Sequence, residues 1–299
     1  MDTARLAAFV KVVDVGSVTR AANLLNVAQP GLSQQILALE NEFKTRLLDR
    51  SPRGVTATPA GQTLYRHAQR ILRQMDEALI NVREADRLVK GHVSVGLTAW
   101  SRAVLLAPDL VAAVRAAHPG ILLQVFDIFP LPFSEMVLKG SLDMAYIYGG
   151  ISARGLDYVD CGHEDFVLAL PPGLGPPGDG PVSTEALAAL PLILPPATSF
   201  QRRLVDRACA TIGEMPNVVT EVVSIDLLTA LLAQGMGGAV LPIAIAELLA
   251  ERMELRLLRM EATMDMPMVL CTAEGEDMSE AAGAVQEILL DLIGRDRGP

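Results

Sequence analysis

Residues 17–39 read SVTRAANLLNVAQPGLSQQILAL, and the fold of the N-terminal quarter turns on this stretch. Ser17 is placed to cap a short helix running through Ala22 and Leu25, because its hydroxyl can accept from the otherwise unpaired first amides. A tight break at Asn26-Val27 follows. Pro30 then suits the first turn of another helix, where its missing N–H costs nothing. From there Leu32, Ile36, Leu39 and Phe43 recur at helical spacing and predict one inward stripe. Two short helices joined by a brief turn, the second with a polar outer face, are the makings of a helix-turn-helix.

Working outward, Leu6, Phe9, Val10 and Val13 predict a preceding helix that stops at Gly16. Downstream, residues 47–58 read LLDRSPRGVTAT, two short extended pieces around a Pro-Arg-Gly tip, which predicts a small β wing. Thr58 caps and Pro59 opens a helix to about Val89, roughly 31 residues and about 46 Å long. Along it Leu64, Ala68, Ile71, Met75, Ala78, Val82, Ala85 and Val89 alternate steps of four and three, an unbroken heptad seam. The competing reading is a helix packed on its own domain. Leu72 and Leu79 form a separate stripe available for that, so the seam is assigned to pairing with a second copy.

The 299 residues are 51% apolar, 20% charged and 4% aromatic, enough to bury more than one core and unlike disordered, collagenous or disulfide-scaffold chains. Net charge is −10, but it is unevenly spread. Residues 1–90 hold 13 Lys/Arg against 9 Asp/Glu, net +4, and the remainder 12 against 26, net −14. An asymmetry of that kind suggests that the first segment meets an anion. Cys161, Cys209 and Cys271 have neither disulfide-framework nor zinc spacing, and fit a reducing cytoplasm. The start lacks the pattern of a signal peptide, and the apolar stretch 225–250 is interrupted by Asp226, Gln234, three glycines and Pro242, so no membrane span is expected.

Beyond Gly91 strand and helix signals alternate: strand 92–97, helix 101–117, strand 121–126, helix 134–139, strand 143–148, a Gly/Pro loop at 171–181, a second alternating block 192–260, then a strand and helix over 268–293. That predicts an α/β unit with a largely parallel sheet, in two lobes around a cleft.

The run 9–22, with 28–36 and 47–55, closely resembles the DNA-binding end of the LysR-type transcriptional regulators. Residues 139–145 (KGSLDMA) and 234–242 (QGMGGAVLP) resemble later parts of the same family. Within it the sequence is most similar to the nitrogen assimilation control branch. The resemblance implies an α/β chain with an N-terminal α+β winged helix-turn-helix at 1–58 and a long linker helix at 59–90. A two-lobed, periplasmic-binding-protein-like effector domain at 91–299 would follow, lobe I about 91–162 and 268–299, lobe II about 163–267. It implies a DNA-binding regulator of transcription, activator or repressor, and no enzyme. The partners implied are double-stranded promoter DNA, a small-molecule effector, RNA polymerase and further copies of the chain, as homodimer or homotetramer. No cofactor, metal or membrane is called for.

Residue by residue, Gln34 points opposite the apolar stripe of its helix, Gln35 flanks it, and Gln29, Pro30 and Ser33 sit at its N-terminal end, where base edges and phosphates can be bound. A solvated helix surface is the plain alternative. Arg53 at the wing tip matches the position from which the family reaches the minor groove or backbone; Arg20 and Arg50 are phosphate candidates, with a structural ion pair as the alternative for Arg50. The dimerisation residues are Leu64, Ala68, Ile71, Met75, Ala78 and Val82. Ala28 stands where the family often has a hydroxyl, so a cap or phosphate contact there is expected to be missing. For the effector, Thr98, Trp100 and Ser101 follow the first strand of the α/β unit, Ser199 and Phe200 resemble the opposite wall, and Phe129 stands where many members carry Ser or Thr. Ser101 can equally be a helix cap. The phenylalanine suggests an apolar or partly closed pocket rather than a carboxylate site. Two alternatives stay open from sequence: a ligand-independent regulator of the same fold, and an α/β solute-binding protein or enzyme with an incidental N-terminal domain.

Overall fold

The computed structural model describes residues 2–51, 54–83, 89–127, 133–149, 153–275 and 278–296, with the backbone alone at 70, 73, 74 and 76–83. Arg53, Ala85 and Phe129 therefore lie outside the described residues, as do the side chains of Ala78 and Val82.

The first unit holds α1 (Thr3–Val15), α2 (Val18–Leu24) and α3 (Gln29–Phe43), a hairpin of β1 (Leu48–Ser51) and β2 (Gly54–Ala57), and the long α4 (Pro59–Arg83). Local chemistry sets each boundary. Ser17 Oγ accepts from the Arg20 amide at the start of α2, and Thr58 Oγ1 accepts from the Gly61 amide at 3.0 Å while donating to Arg46 O. Gly16 ends α1 at φ 65°, a conformation glycine adopts without strain. Leu32, Ile36 and Leu39 are fully buried with Leu6, Phe9 and Val12. Phe43 departs from expectation. It is 42% exposed at the last residue of α3, which ends in the left-handed Lys44.

The seam on α4 needs a correction at its start. Leu64 and Ala68 are buried in the core of this same unit, and Ile71 packs against it. The cause is a close approach at Gly61, where an added Cβ would lie 1.9 Å from Leu47 O. Leu64 and Ala68 are thereby used up within one chain, while Ile71 stays half-buried. Met75, by contrast, is 41% exposed.

The remainder runs β3 (Lys90–Leu97), α5 (Arg102–Leu105), α6 (Ala107–Ala117), β4 (Gly120–Phe126), α7 (Phe133–Leu138), β5 (Met144–Tyr148), β6 (Leu156–Leu170), α8 (Thr184–Ala189), β7 (Leu192–Leu194), α9 (Phe200–Ala210), β8 (Val218–Glu221), α10 (Ile225–Ala233), β9 (Ala239–Pro242), α11 (Ile243–Ala250), β10 (Arg256–Leu258), β11 (Asp265–Ala273) and α12 (Glu280–Asp296).

Its main sheet is mixed, where a largely parallel one was expected. β3 lies between β4 and β5 and is parallel to both, but β11 is antiparallel to β5 and β6, and β6 to β9 and β10. The reversal follows from connectivity: β11 re-enters the sheet after the excursion of residues 171–264. The 15-residue β6 has no counterpart in the sequence reading. Its first part, from Leu156 to Asp165, pairs with β11, and its last part, from Phe166 to Leu170, with β9 and β10. One strand thus serves both lobes.

Candidate DNA-reading helix and interlobe site

On α3 the residues proposed to meet DNA surround its outer face. Gln29, Pro30 and Gln34 are exposed, while Ser33 and Gln35 are half-buried. Gln29 Nε2 donates to Ser33 Oγ at 3.0 Å, so the first turn is pre-ordered by its own side chains. Ala28 makes no side-chain cap, as its methyl requires, and the first amides of α3 are left to other acceptors. Arg20 is exposed and bonded to Val15 O at 2.8 Å, which holds its guanidinium beside the α1–α2 turn. Arg50 is exposed on β1.

The wing is fixed by contacts that the sequence reading did not anticipate. Glu40 Oε1, on the side of α3, accepts from the Leu47 and Leu48 amides at 2.9 and 3.2 Å. The Val55 amide donates to Gly16 O, and a Cβ on Gly54 would sit 2.7 Å from that same oxygen. The hairpin is therefore tied to α3 through Glu40 and to the end of α1 through Gly16. The available signal for Glu40 was its position near the carboxyl end of α3, where the helix dipole disfavours an acid that has no donors of its own.

The second site forms where lobe I meets lobe II. β3 is the point at which connections leave in opposite directions, to β4 on one side and β5 on the other, and such points open a crevice at the carboxyl ends of strands. Thr98, Trp100 and Ser101 occupy it, but not with free polar groups. Thr98 Oγ1 donates to Tyr146 O at 3.2 Å. Ser101 is fully buried, donates to Thr98 O at 2.7 Å and accepts from the Ala103 amide at 3.1 Å, so it is a helix cap and not a ligand donor. Ser199 likewise caps α9 by accepting from the Arg202 amide at 3.0 Å. Trp100, held at φ 57°, is 5% exposed inside the apolar cluster of the second lobe.

The two walls do meet. Gln201 Nε2 donates to Trp100 O at 3.2 Å, and the Phe200 ring lies 6.2 Å from that of Tyr148. Arg203 stacks on Phe200, its guanidinium carbon 4.5 Å from the ring centre. Behind them Glu164, 2% exposed, accepts from the Tyr148 hydroxyl and the Arg102 amide. Burial raises the Glu164 carboxyl to about 7, against the opposing pull of those two hydrogen bonds. Tyr148 is pushed well above its usual value by burial and by the carboxylate beside it. Arg102 also pairs with Asp296 and so ties the end of α12 to this corner. Sequence reasoning missed Glu164, although the signal existed. It shares strand parity with Phe166, Leu168 and Leu170, all buried, and a carboxylate at an inward position is expensive unless it is used.

Cys161, Cys209 and Cys271 are buried thiols outside any disulfide, and burial pushes Cys271 up to about 11. Among the described residues no cluster of three or more His, Cys, Asp or Glu could hold a metal ion, and no helix is long and apolar enough to cross a membrane.

A winged helix-turn-helix with an exposed glutamine face, joined through a long helix to a two-lobed α/β unit, defines a DNA-binding regulator with an effector domain. The chain belongs to the LysR family of bacterial transcriptional regulators, which are not enzymes. Residues 3–62 match the family described as "Bacterial regulatory helix-turn-helix protein, lysR family" and residues 86–293 that described as "LysR substrate binding domain". Over 294 residues the chain is 36% identical to the nitrogen assimilation regulatory protein nac of Escherichia coli (strain K12), covering 98% of this chain and 95% of that protein, in keeping with the branch expected from sequence. Among solved structures, a full-length OxyR variant from Pseudomonas aeruginosa superposes with a TM-score of 0.69 at 22% identity, over 98% of this chain and 94% of that one. Full-length CbnR complexed with its target DNA gives a TM-score of 0.54 at 23% identity, over 98% and 100%.

Proposed function

We propose that this regulator, working in the cytoplasm, reads promoter DNA with α3 in the major groove, Gln34 and Gln29 at base edges with Pro30, Ser33 and Gln35 around them, while Arg20 and Arg50 bind phosphate and Arg53 of the wing tip reaches the backbone or minor groove. The carrying observation is that a polar, exposed helix face backed by fully buried leucines lies in the +4 segment of a −10 chain. The functional segments are 1–58 for DNA, 59–90 for pairing through the half of the helix from Met75 onward, and 91–299 for the effector. The effector site is the crevice between Thr98 and Trp100 on one side and Ser199 and Phe200 on the other, and Phe129, outside the described residues, is kept as a lining residue on the sequence reading alone. With both serines committed to helix caps and Glu164 behind the wall, the crevice suits a small, weakly polar or uncharged molecule rather than a carboxylate.

The test is a comparison of operators selected from a random duplex library by the full-length protein. Gln34→Ala should lose about 1–3 kcal/mol of discrimination between selected and mutated sites. Equal weakening on selected and random DNA rejects base readout by this helix.

A further inference from the structure

The outward stripe of α3 runs Pro30, Gln34, Leu37 and Asn41. At about 100° per residue these four lie opposite the buried Leu32, Ile36 and Leu39, and all four are exposed. Leu37 is the one large aliphatic side chain among them, and 55% of it is open to solvent. A single exposed leucine on a protein surface needs no explanation. This one differs by its place, three residues and about 4.5 Å along the axis from Gln34 on the same stripe, a displacement of roughly one base-pair step of 3.4 Å. Any groove that admits Gln34 receives Leu37 as well. The apolar group on the floor of the major groove is the C5-methyl of thymine.

We propose that Leu37 is a further specificity-determining residue, packing its isobutyl group against a thymine methyl next to the base read by Gln34. The inference rests on the reading of α3 as the recognition helix. It adds a preference that hydrogen bonding cannot give, since glutamine reads donors and acceptors while leucine reads only shape and apolarity. Two residues one turn apart then select adjacent bases by different physics.

The experiment is a methyl-deletion scan. In the operator selected by the full-length protein, each thymine of a half-site is replaced in turn by deoxyuridine, which keeps every hydrogen-bonding edge and removes only the methyl. The wild type should lose about three- to tenfold in affinity at one thymine per half-site, as expected for one apolar contact. Leu37→Ala should bind the thymine operator weaker by a similar factor and be indifferent to uracil at that same position. Leu37→Met, which keeps an apolar reach, should recover most of the sensitivity and shows that the alanine variant is not merely misfolded. A flat scan, an operator lacking a required thymine, or undiminished uracil sensitivity in Leu37→Ala overturns the proposal. So does a change in oligomeric mass for Leu37→Ala together with a flat scan, which would place a second protein chain on this leucine. A flat scan with Gln34→Ala still losing discrimination refutes Leu37 alone. Absence of both effects refutes the recognition helix itself.

Discussion

The Tyr148 hydroxyl donates a 2.5 Å hydrogen bond to one oxygen of Glu164, and the other oxygen of that carboxylate takes the Arg102 amide. A residue at the end of β5, one in the middle of β6 and one at the start of α5 are thereby joined through a single buried acid. Its folded-state value, about 7, lies above the ordinary 4.5, so the fold favours the neutral form. That contribution is fully present below about pH 4.5 and is lost as pH rises through about 7. Glu164→Gln carries no such dependence. In urea titrations the stability of the variant relative to wild type should improve by up to about 3 kcal/mol between about pH 5 and 8.5, and a difference that stays constant over that range contradicts the assignment.

Gly61 carries the approach of α4 to the wing. Gly61→Ala puts a methyl into Leu47 O, which is backbone and cannot rotate away. The expected cost is roughly 3 kcal/mol in the DNA-binding unit. Two-step thermal unfolding, with the early transition shifted down and the later one unmoved, is the signature to look for.

The two halves of the α4 seam should answer differently to the same charge. Met75→Glu meets solvent in the single chain, so each unit stays folded while a paired assembly is dissociated by a desolvated charge facing its twin. Leu64→Glu buries a charge within its own unit and unfolds it. Sedimentation and far-UV dichroism separate the cases; an unchanged assembly for Met75→Glu moves the interface elsewhere.

All three thiols should resist modification in the native state. Each is at most 1% exposed, and burial raises Cys209 and Cys271 against forming thiolate. Ellman's reagent should label close to none without denaturant and all three in guanidinium; fast labelling of one would identify a local opening.

Much of the N-terminal unit was legible because its signals are local. Ser17, Gly16 and Thr58 mark helix ends by their own hydrogen bonds or backbone angle, and the Leu32-Ile36-Leu39 stripe repeats within one helix. The heptad seam shows where local reading stops. Periodicity gives the apolar face of α4 but not which neighbour covers it, and that is decided by Gly61 meeting Leu47 across a turn of the chain. The interlobe site was half legible. The loop at 98–101, with its cap alternative at Ser101, and the opposite wall at 199–200 are visible in sequence, yet Ser101 and Ser199 both turn inward to the backbone, while the buried acid beside them sits on a strand whose pattern changes midway. Scattered burial up to Asp165, at Leu156, Cys161 and Glu164, and continuous burial from Phe166 belong to different surroundings of one strand, and no single period describes both.

β11, made of residues 265–273, lies between β5 and β6 in the finished sheet. A chain emerging from the ribosome completes its helix-turn-helix about 200 residues before this strand appears. Until then β5 and β6 each present an unpaired edge, the kind of edge that recruits other strands. A message broken before codon 265 would therefore yield a protein with a finished DNA-reading head on a sticky, unclosed body. Such a fragment would be a matter for proteases rather than for promoters.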